Sequence, residues 1–324
     1  MRVPAAPARL LADTDATHRA GGGATARTVV LMDTFVTIQV VAGSQLAGCE
    51  EAIARAFEWF RRVEAVCSRF DPQSEVLRLL DAVGAPTPVS DILYEAVALA
   101  LAVALSSDGA FDPTIGHTLE RRGFDRHYQT GATIATPIAP ETRPTYRDVR
   151  LDPARRTITL RQPLILDLGA VAKGLAVDLA AQELAPFDNY AIDAGGDLFV
   201  RGLNPAGRPW QIGLRHPRQP DALLGVVRLT DAAICTSGDY ARPSPHPGAG
   251  HHLIDPRTGR SASTVASVTV IAPTTVAADA LATAAFVLGP RRGLRLLARQ
   301  GVEGLIITPT LEQHQTRDFG RYLR

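Results

Sequence analysis

Leu164-Ile165-Leu166-Asp167-Leu168-Gly169-Ala170-Val171-Ala172-Lys173-Gly174 joins a short apolar run to a small-residue segment through a glycine. The pattern predicts a buried strand over 164–166 and a helix over 169–184. Such a junction aims free backbone N–H groups and the positive end of the helix at whatever binds there. Asp167 ends the strand, and Lys173, the single lysine of the chain, follows about one helical turn in. An acceptor and a cation thus flank a position suited to an anionic ligand. The same residues also suit plainer roles, Asp167 as an N-cap and Lys173 as a surface side chain.

Downstream, strand-like runs occupy 190–193, turning at Gly195-Gly196, then 210–214, 225–229, 233–236, 266–271 and 305–308, with helices over 275–288 and 291–300. Upstream, β-branched residues predict one strand over 29–41, followed by a helix over 46–69 and a nearly all-apolar helix over 91–106 that Ser90 can cap. A turn-rich loop over about 118–147 leads to a hairpin, 148–151 with 157–161, around Asp152-Pro153. Strands come in runs rather than in strict alternation with helices, so the fold class is α+β. A flexible tail over 1–27, closing on Gly21-Gly22-Gly23, precedes one domain over 28–324.

Composition narrows the function. The 324 residues are 46% hydrophobic and 21% charged with a formal net charge of +1, which leaves no global field for polyanions, so no nucleic-acid partner is expected. No run is long enough to span a bilayer, and the first residues lack an apolar leader, so no membrane span and a cytoplasmic location are expected. Cys49, Cys67 and Cys235 lie far apart without CxxC spacing, which implies neither a disulfide framework nor a zinc site.

Further clusters carry chemistry. In Asp279-Ala280-Leu281-Ala282-Thr283, a carboxylate and a hydroxyl four residues apart share a helix face. With a main-chain carbonyl they supply part of an oxygen-rich Mg²⁺ site, phosphate and water completing the octahedron. The alternative makes Asp279 a helix N-terminal acceptor and Thr283 a hydroxyl bonded back to the preceding turn. His251-His252 leads into Leu253-Ile254-Asp255-Pro256-Arg257-Thr258-Gly259; adjacent side chains diverge on a strand, so one histidine acting as base or phosphate contact fits better than a metal pair. Ser107-Asp108-Gly109-Ala110-Phe111-Asp112-Pro113-Thr114 and Ile192-Asp193-Ala194-Gly195-Gly196-Asp197 combine glycines with carboxylates, as close ligand approach or tight turns both require. No dinucleotide GxGxxG, Walker loop or GxSxG elbow is present.

In chain order these segments resemble the ApbE family, the FAD:protein FMN transferases. The resemblance runs through Met32-Asp33-Thr34, Ser68-Arg69-Phe70-Asp71-Pro72 with Ser74-Glu75, and Gly109 to Thr114. It continues through Asp167 to Gly174, Asp193 to Asp197, Thr236-Ser237-Gly238-Asp239, His252 to Gly259 and Asp279 to Thr283. It implies an ApbE-like, T-fold-like α+β architecture of mixed sheets with packed helices and an FAD cleft between two subregions. It also implies Mg²⁺ on the FAD pyrophosphate and transfer of FMN to a threonine or serine hydroxyl of a flavin-acceptor protein, releasing AMP. By motif position, Ala170 through its carbonyl, Asp279 and Thr283 resemble Mg²⁺ ligands, with Ala282 adjoining them. Met32, Phe70, Ala110, Phe111, Asp112, Asp167, Lys173 and Leu253 correspond to FAD contacts, and His252 to the group that assists deprotonation of the incoming hydroxyl. A related site without an acceptor hydrolyses FAD to FMN and AMP; a non-catalytic FAD-binding protein is the reading from a different class. Many members of the family carry an export leader or lipobox; neither is expected from the first residues, and an exported location is the alternative if the native start differs. Thr130-Gly131-Ala132-Thr133 resembles the end of the family's acceptor signature, but His127 stands where an aspartate is expected, which leaves self-flavinylation at Thr133 an open question for the resemblance.

Overall fold

The computed structural model describes residues 7–11, 24–41, 48–127, 130–134, 136, 138, 143–246 and 248–323. The Gly21-Gly22-Gly23 run lies outside them. In chain order the first half comprises β1 (Ala8–Leu10), β2 (Ala24–Leu31), β3 (Thr34–Val41), α1 (Cys49–Cys67), α2 (Glu75–Arg78), β4 (Thr87–Pro88), α3 (Asp91–Ser106), α4 (Gly116–Arg121), β5 (Val149–Asp152) and β6 (Thr157–Leu160). The second half comprises α5 (Gly169–Glu183), β7 (Tyr190–Ala194), β8 (Leu198–Arg201), β9 (Trp210–Arg215), β10 (Leu223–Leu229), β11 (Ala232–Gly238), β12 (Ile254–Asp255), β13 (Arg260–Ser261), β14 (Ser267–Ala272), α6 (Thr275–Arg299), β15 (Glu303–Ile307) and β16 (Gln313–Gln315).

An antiparallel sheet of order β16-β15-β14-β11-β8-β7-β3-β2 forms the frame. Its side chains alternate between two cores, as the twofold period of a strand requires. Ile192, Cys235, Val268, Val270 and Ile306 pack with α1, α3, α5 and α6, while Ala191, Ile234, Ile271, Leu305 and Ile307 pack with Trp210, Ile212 and Val227 of a second sheet, β1-β9-β10. Both faces are therefore covered, which is why β14 is buried at every position. The result is an α+β architecture of mixed sheets and packed helices. Among the described residues, no helix is long and apolar enough to cross a membrane.

The structure redraws several expected boundaries. The strand expected over 29–41 is a hairpin, because Met32 and Asp33 both adopt positive φ (51° and 62°) and make a two-residue turn between the paired Leu31 and Thr34. The run 164–166 joins no sheet: Ile165 O accepts from Gly116 N–H at 3.2 Å and Asp167 N–H donates to Pro113 O at 2.7 Å, so the backbone runs beside the 113–116 turn while Leu164 and Leu166 belong to the main core. Residues 8–10, within the expected tail, form β1 on β9, with Ala8 wholly buried. Ser90 caps α3 as expected, accepting from Leu93 N–H at 3.3 Å. The two C-terminal helices meet as α6, broken at Gly289 (φ 76°, ψ 175°) before Pro290.

Candidate active site

Helices α5 and α6 cross with no side chain between them at Gly174, where an added Cβ would lie 2.6 Å from Val276 Cα. Beside that crossing, Asp178 of α5 accepts from Thr275 N–H at 2.8 Å and Val276 N–H at 3.0 Å, satisfying two of the donors that a helix start leaves open. The start of α6 is thereby pinned to α5. Asp279 and Thr283, successive turns of α6, then share the wall of a cavity of about 520 Å³ with Ala170 and Lys173 of α5. Asp178 caps α6, so Asp279 is not the N-terminal acceptor that the plainer reading made it. Thr283 Oγ1 lies 3.2 Å from Ser237 Oγ at the end of β11.

The remaining walls come from distant parts of the chain. The β2–β3 turn brings Met32 and Asp33, the end of α1 brings Arg69 and Phe70, and residues 110–112 follow α3. His252 and Leu253 arrive on the segment before β12, and Pro7 before β1. Every residue expected at the site lines this cavity except Ala282, which is wholly buried among core residues.

Most carboxylates of the cavity are already committed. Asp167 receives Arg69 Nε at 2.5 Å and Gly169 N–H at 3.0 Å, so it pairs with a cation and accepts the first N–H of α5, whose N-cap is Leu168. Asp197 receives Lys173, and Asp33 faces Arg242 at 3.5 Å. Asp112 accepts from Thr114 N–H (2.9 Å), Thr114 O–H (2.7 Å) and Tyr146 N–H (3.0 Å), which occupies both of its oxygens in holding the local turn. Asp279 differs: among the described residues, its Oδ2 is the only buried carboxylate oxygen with no hydrogen-bond partner. Burial pushes its carboxyl up, opposed by Lys173 and then Arg242. An orphaned buried acceptor costs stability unless something completes it.

A hard cation suits an acceptor oxygen that no donor meets. No three His, Cys, Asp or Glu side chains gather among the described residues, so a metal here rests on one carboxylate, the Thr283 hydroxyl and main-chain oxygen, a donor set suited to Mg²⁺. Ala170 belongs to this wall, and its backbone (φ −97°, ψ 18°) departs from helical geometry.

The two histidines separate in role. His251 places Nε2 2.9 Å from Ala262 O and accepts Leu253 N–H at Nδ1 (3.2 Å), so both ring nitrogens are spent on the fold. His252 lines the cavity with Nδ1 3.3 Å from Arg242 O, a contact only an Nδ1–H can make, which leaves Nε2 its lone pair. Burial, then the charges of Arg242 and His251, push its imidazolium down to about 3.

Reading the sequence did not assign Arg69, Asp178, Ser237 or Arg242. Arg69, 5% exposed, also donates to Phe124 O at 2.5 Å and stacks 4.1 Å from the Phe70 ring centroid. Its carboxylate partner lies 98 residues away, so no local spacing announces the pair.

The ApbE family model matches residues 32–306. A relative from Treponema pallidum named FAD:protein FMN transferase is 35% identical over 87% of this chain and 84% of its own length. One of the same name from Haemophilus influenzae is 30% identical over 83% and 81%. Among solved structures, the ApbE protein of Thermotoga maritima superposes with a TM-score of 0.83 at 31% identity, covering 93% of this chain and all of the other. The flavin transferase ApbE of Vibrio cholerae gives 0.82 at 25% identity with the same coverage.

Proposed function

The chain belongs to the ApbE family, and from that premise we propose that it is a flavin transferase that moves the FMN half of FAD, with Mg²⁺, onto a threonine or serine hydroxyl of an acceptor protein, releasing AMP. The observation that carries this reading is the donorless, buried Asp279 Oδ2 one turn before Thr283 on the cavity wall. A site that only holds a flavin has no use for such an atom.

Lys173 and the N-terminal end of α5 supply positive potential for a diphosphate. Asp279, Thr283 and Ala170 O would hold Mg²⁺, which when bound offsets charge on phosphate oxygens. The acceptor oxygen attacks the phosphorus of the FMN half, the phosphoanhydride bond breaks, and its electron pair leaves on AMP. His252, neutral with Nε2 free, takes the hydroxyl proton; the negative charge of a bound diphosphate raises its basicity when that is needed. Arg69 holds Asp167 and Phe70 in place on the flavin side.

Incubation with FAD, with and without Mg²⁺, and with a peptide or domain bearing an Asp-Gly-x-Ser/Thr-Gly-Ala-Thr segment tests the reading. Expected are Mg²⁺-dependent AMP and FMN mass on the acceptor. Free FMN with AMP would mean hydrolysis, and tight FAD binding without turnover would mean a binding protein. Intact mass of the chain itself tests modification of Thr133, which is exposed and bridged to cavity-lining Arg126.

A further inference from the structure

Two of the cavity's cations are held by close partners: Arg69 by Asp167 and a carbonyl, Lys173 by the buried Asp197. Arg242 is different. Its ion pair is a single 3.5 Å contact with Asp33, between side chains 43% and 34% exposed, and its guanidinium makes no hydrogen bond among the described residues. A pair of that length and exposure is cheap to break. The backbone of Arg242 is fixed, since its carbonyl accepts His252 N–H at 3.2 Å and sits 3.3 Å from His252 Nδ1. The charge of Arg242 adds to burial in lowering the His252 imidazolium.

Resting on the transfer reading above, we propose that Arg242 is a catalytic residue: its guanidinium leaves Asp33 and donates to the non-bridging oxygens of the phosphoryl group as that group passes to the acceptor hydroxyl. The planar fork of N–H donors matches phosphate oxygens as an ammonium does not. One P–O bond forms to the acceptor and one breaks to AMP; the hydroxyl proton goes to His252, and Arg242 keeps all of its own. The same arrangement ties the base to the substrate. Without an anion, burial and then the charges of Arg242 and His251 suppress protonation of His252 against the weaker pull of Asp167; with Arg242 engaged by phosphate, its share of that suppression is cancelled.

Arg242→Gln and Arg242→Lys test this through three readouts: AMP release at saturating FAD and Mg²⁺, FAD affinity by flavin fluorescence, and His252 titration by NMR in the ligand-free protein. In Arg242→Gln, kcat should fall about 100- to 1,000-fold, the range for loss of one charge-stabilising donor. FAD affinity should change less than about tenfold, and the His252 titration should move upward. Arg242→Lys should recover part of the rate. If Arg242→Gln does not fold, Arg242→Lys carries the test alone, with a reduced kcat expected from loss of the fork. Unchanged kcat, or a loss confined to FAD affinity, overturns the assignment; a His252 titration that does not move overturns the link to the base. A parent protein that releases no AMP overturns the transfer reading itself, a result distinct from any variant difference.

Discussion

Gly174→Ala is the smallest change that should disturb both the fold and the site. The new Cβ would meet Val276 Cα at 2.6 Å, Val276 N at 2.7 Å and Thr275 C at 2.8 Å, all backbone atoms that cannot rotate away. Comfortable carbon contacts begin at about 3.5 Å, so α5 and α6 must separate by about 1 Å. Alanine gains up to about 1 kcal/mol of helix propensity over glycine, and overpacking costs about 1–3 kcal/mol. With the full propensity gain the net expectation is a loss of up to about 2 kcal/mol, lowering Tm by several degrees at about 2–4 °C per kcal/mol. The larger effect should fall on activity. Ala170 and Lys173 ride on one helix, Asp279 and Thr283 on the other, and a 1 Å misplacement of reacting groups can cost about 100-fold in rate. The assay is thermal unfolding alongside Mg²⁺-dependent AMP release. A variant with the parent's Tm and the parent's rate would show that this crossing does not set the site.

Asp279→Ala should abolish Mg²⁺-dependent transfer; the metal-free protein should melt no lower than the parent, because an unpaired buried carboxylate has been removed, while stabilisation by Mg²⁺ disappears. His252→Ala should retain FAD binding, measured by fluorescence, and slow transfer. Asp178→Ala removes the acceptor for two α6 N–H groups and should cost about 1–2 kcal/mol in denaturant unfolding, a cap-loss effect that an unchanged midpoint would contradict. Asp193, pushed from 3.8 up to about 6 by burial, binds its proton more tightly folded than unfolded. Its contribution is therefore full below about pH 4 and is lost as pH rises through 6, up to about 3 kcal/mol; Asp193→Asn should remove that slope from stability measured between pH 4 and 7.

The parts of the fold legible in the sequence are those whose cause is local. Ser90 before an apolar run marks the start of α3, and short strand-like runs mark β7 and β11. The Met32-Asp33 turn was hidden because neither residue advertises positive φ as glycine does. Residues 164–166 look like a strand because burial and β-pairing leave the same apolar mark. At the site, the spacing of Asp279 and Thr283 exposed a shared face, and the family resemblance supplied most of the rest. Arg69 with Asp167, and Asp178 with the start of α6, depend on contacts 98 and 97 residues apart, which spacing along one element cannot reveal. Ala282, expected beside the metal ligands, turns its side chain from the Asp279–Thr283 face into the core, which a helical spacing of one residue from Thr283 produces.

The large sheet pairs Thr37 with Asp193, and the small one pairs Ala8 with Leu214. Cavity walls are drawn from residue 7 to residue 283. A growing chain on the ribosome therefore carries no half-built pocket able to grip flavin or expose its anhydride to water. Competence arrives only when α6 has been made and docked. Flavin present in the cell at that moment favours the finished state alone, and so acts as a late check on completion rather than as a template for early steps.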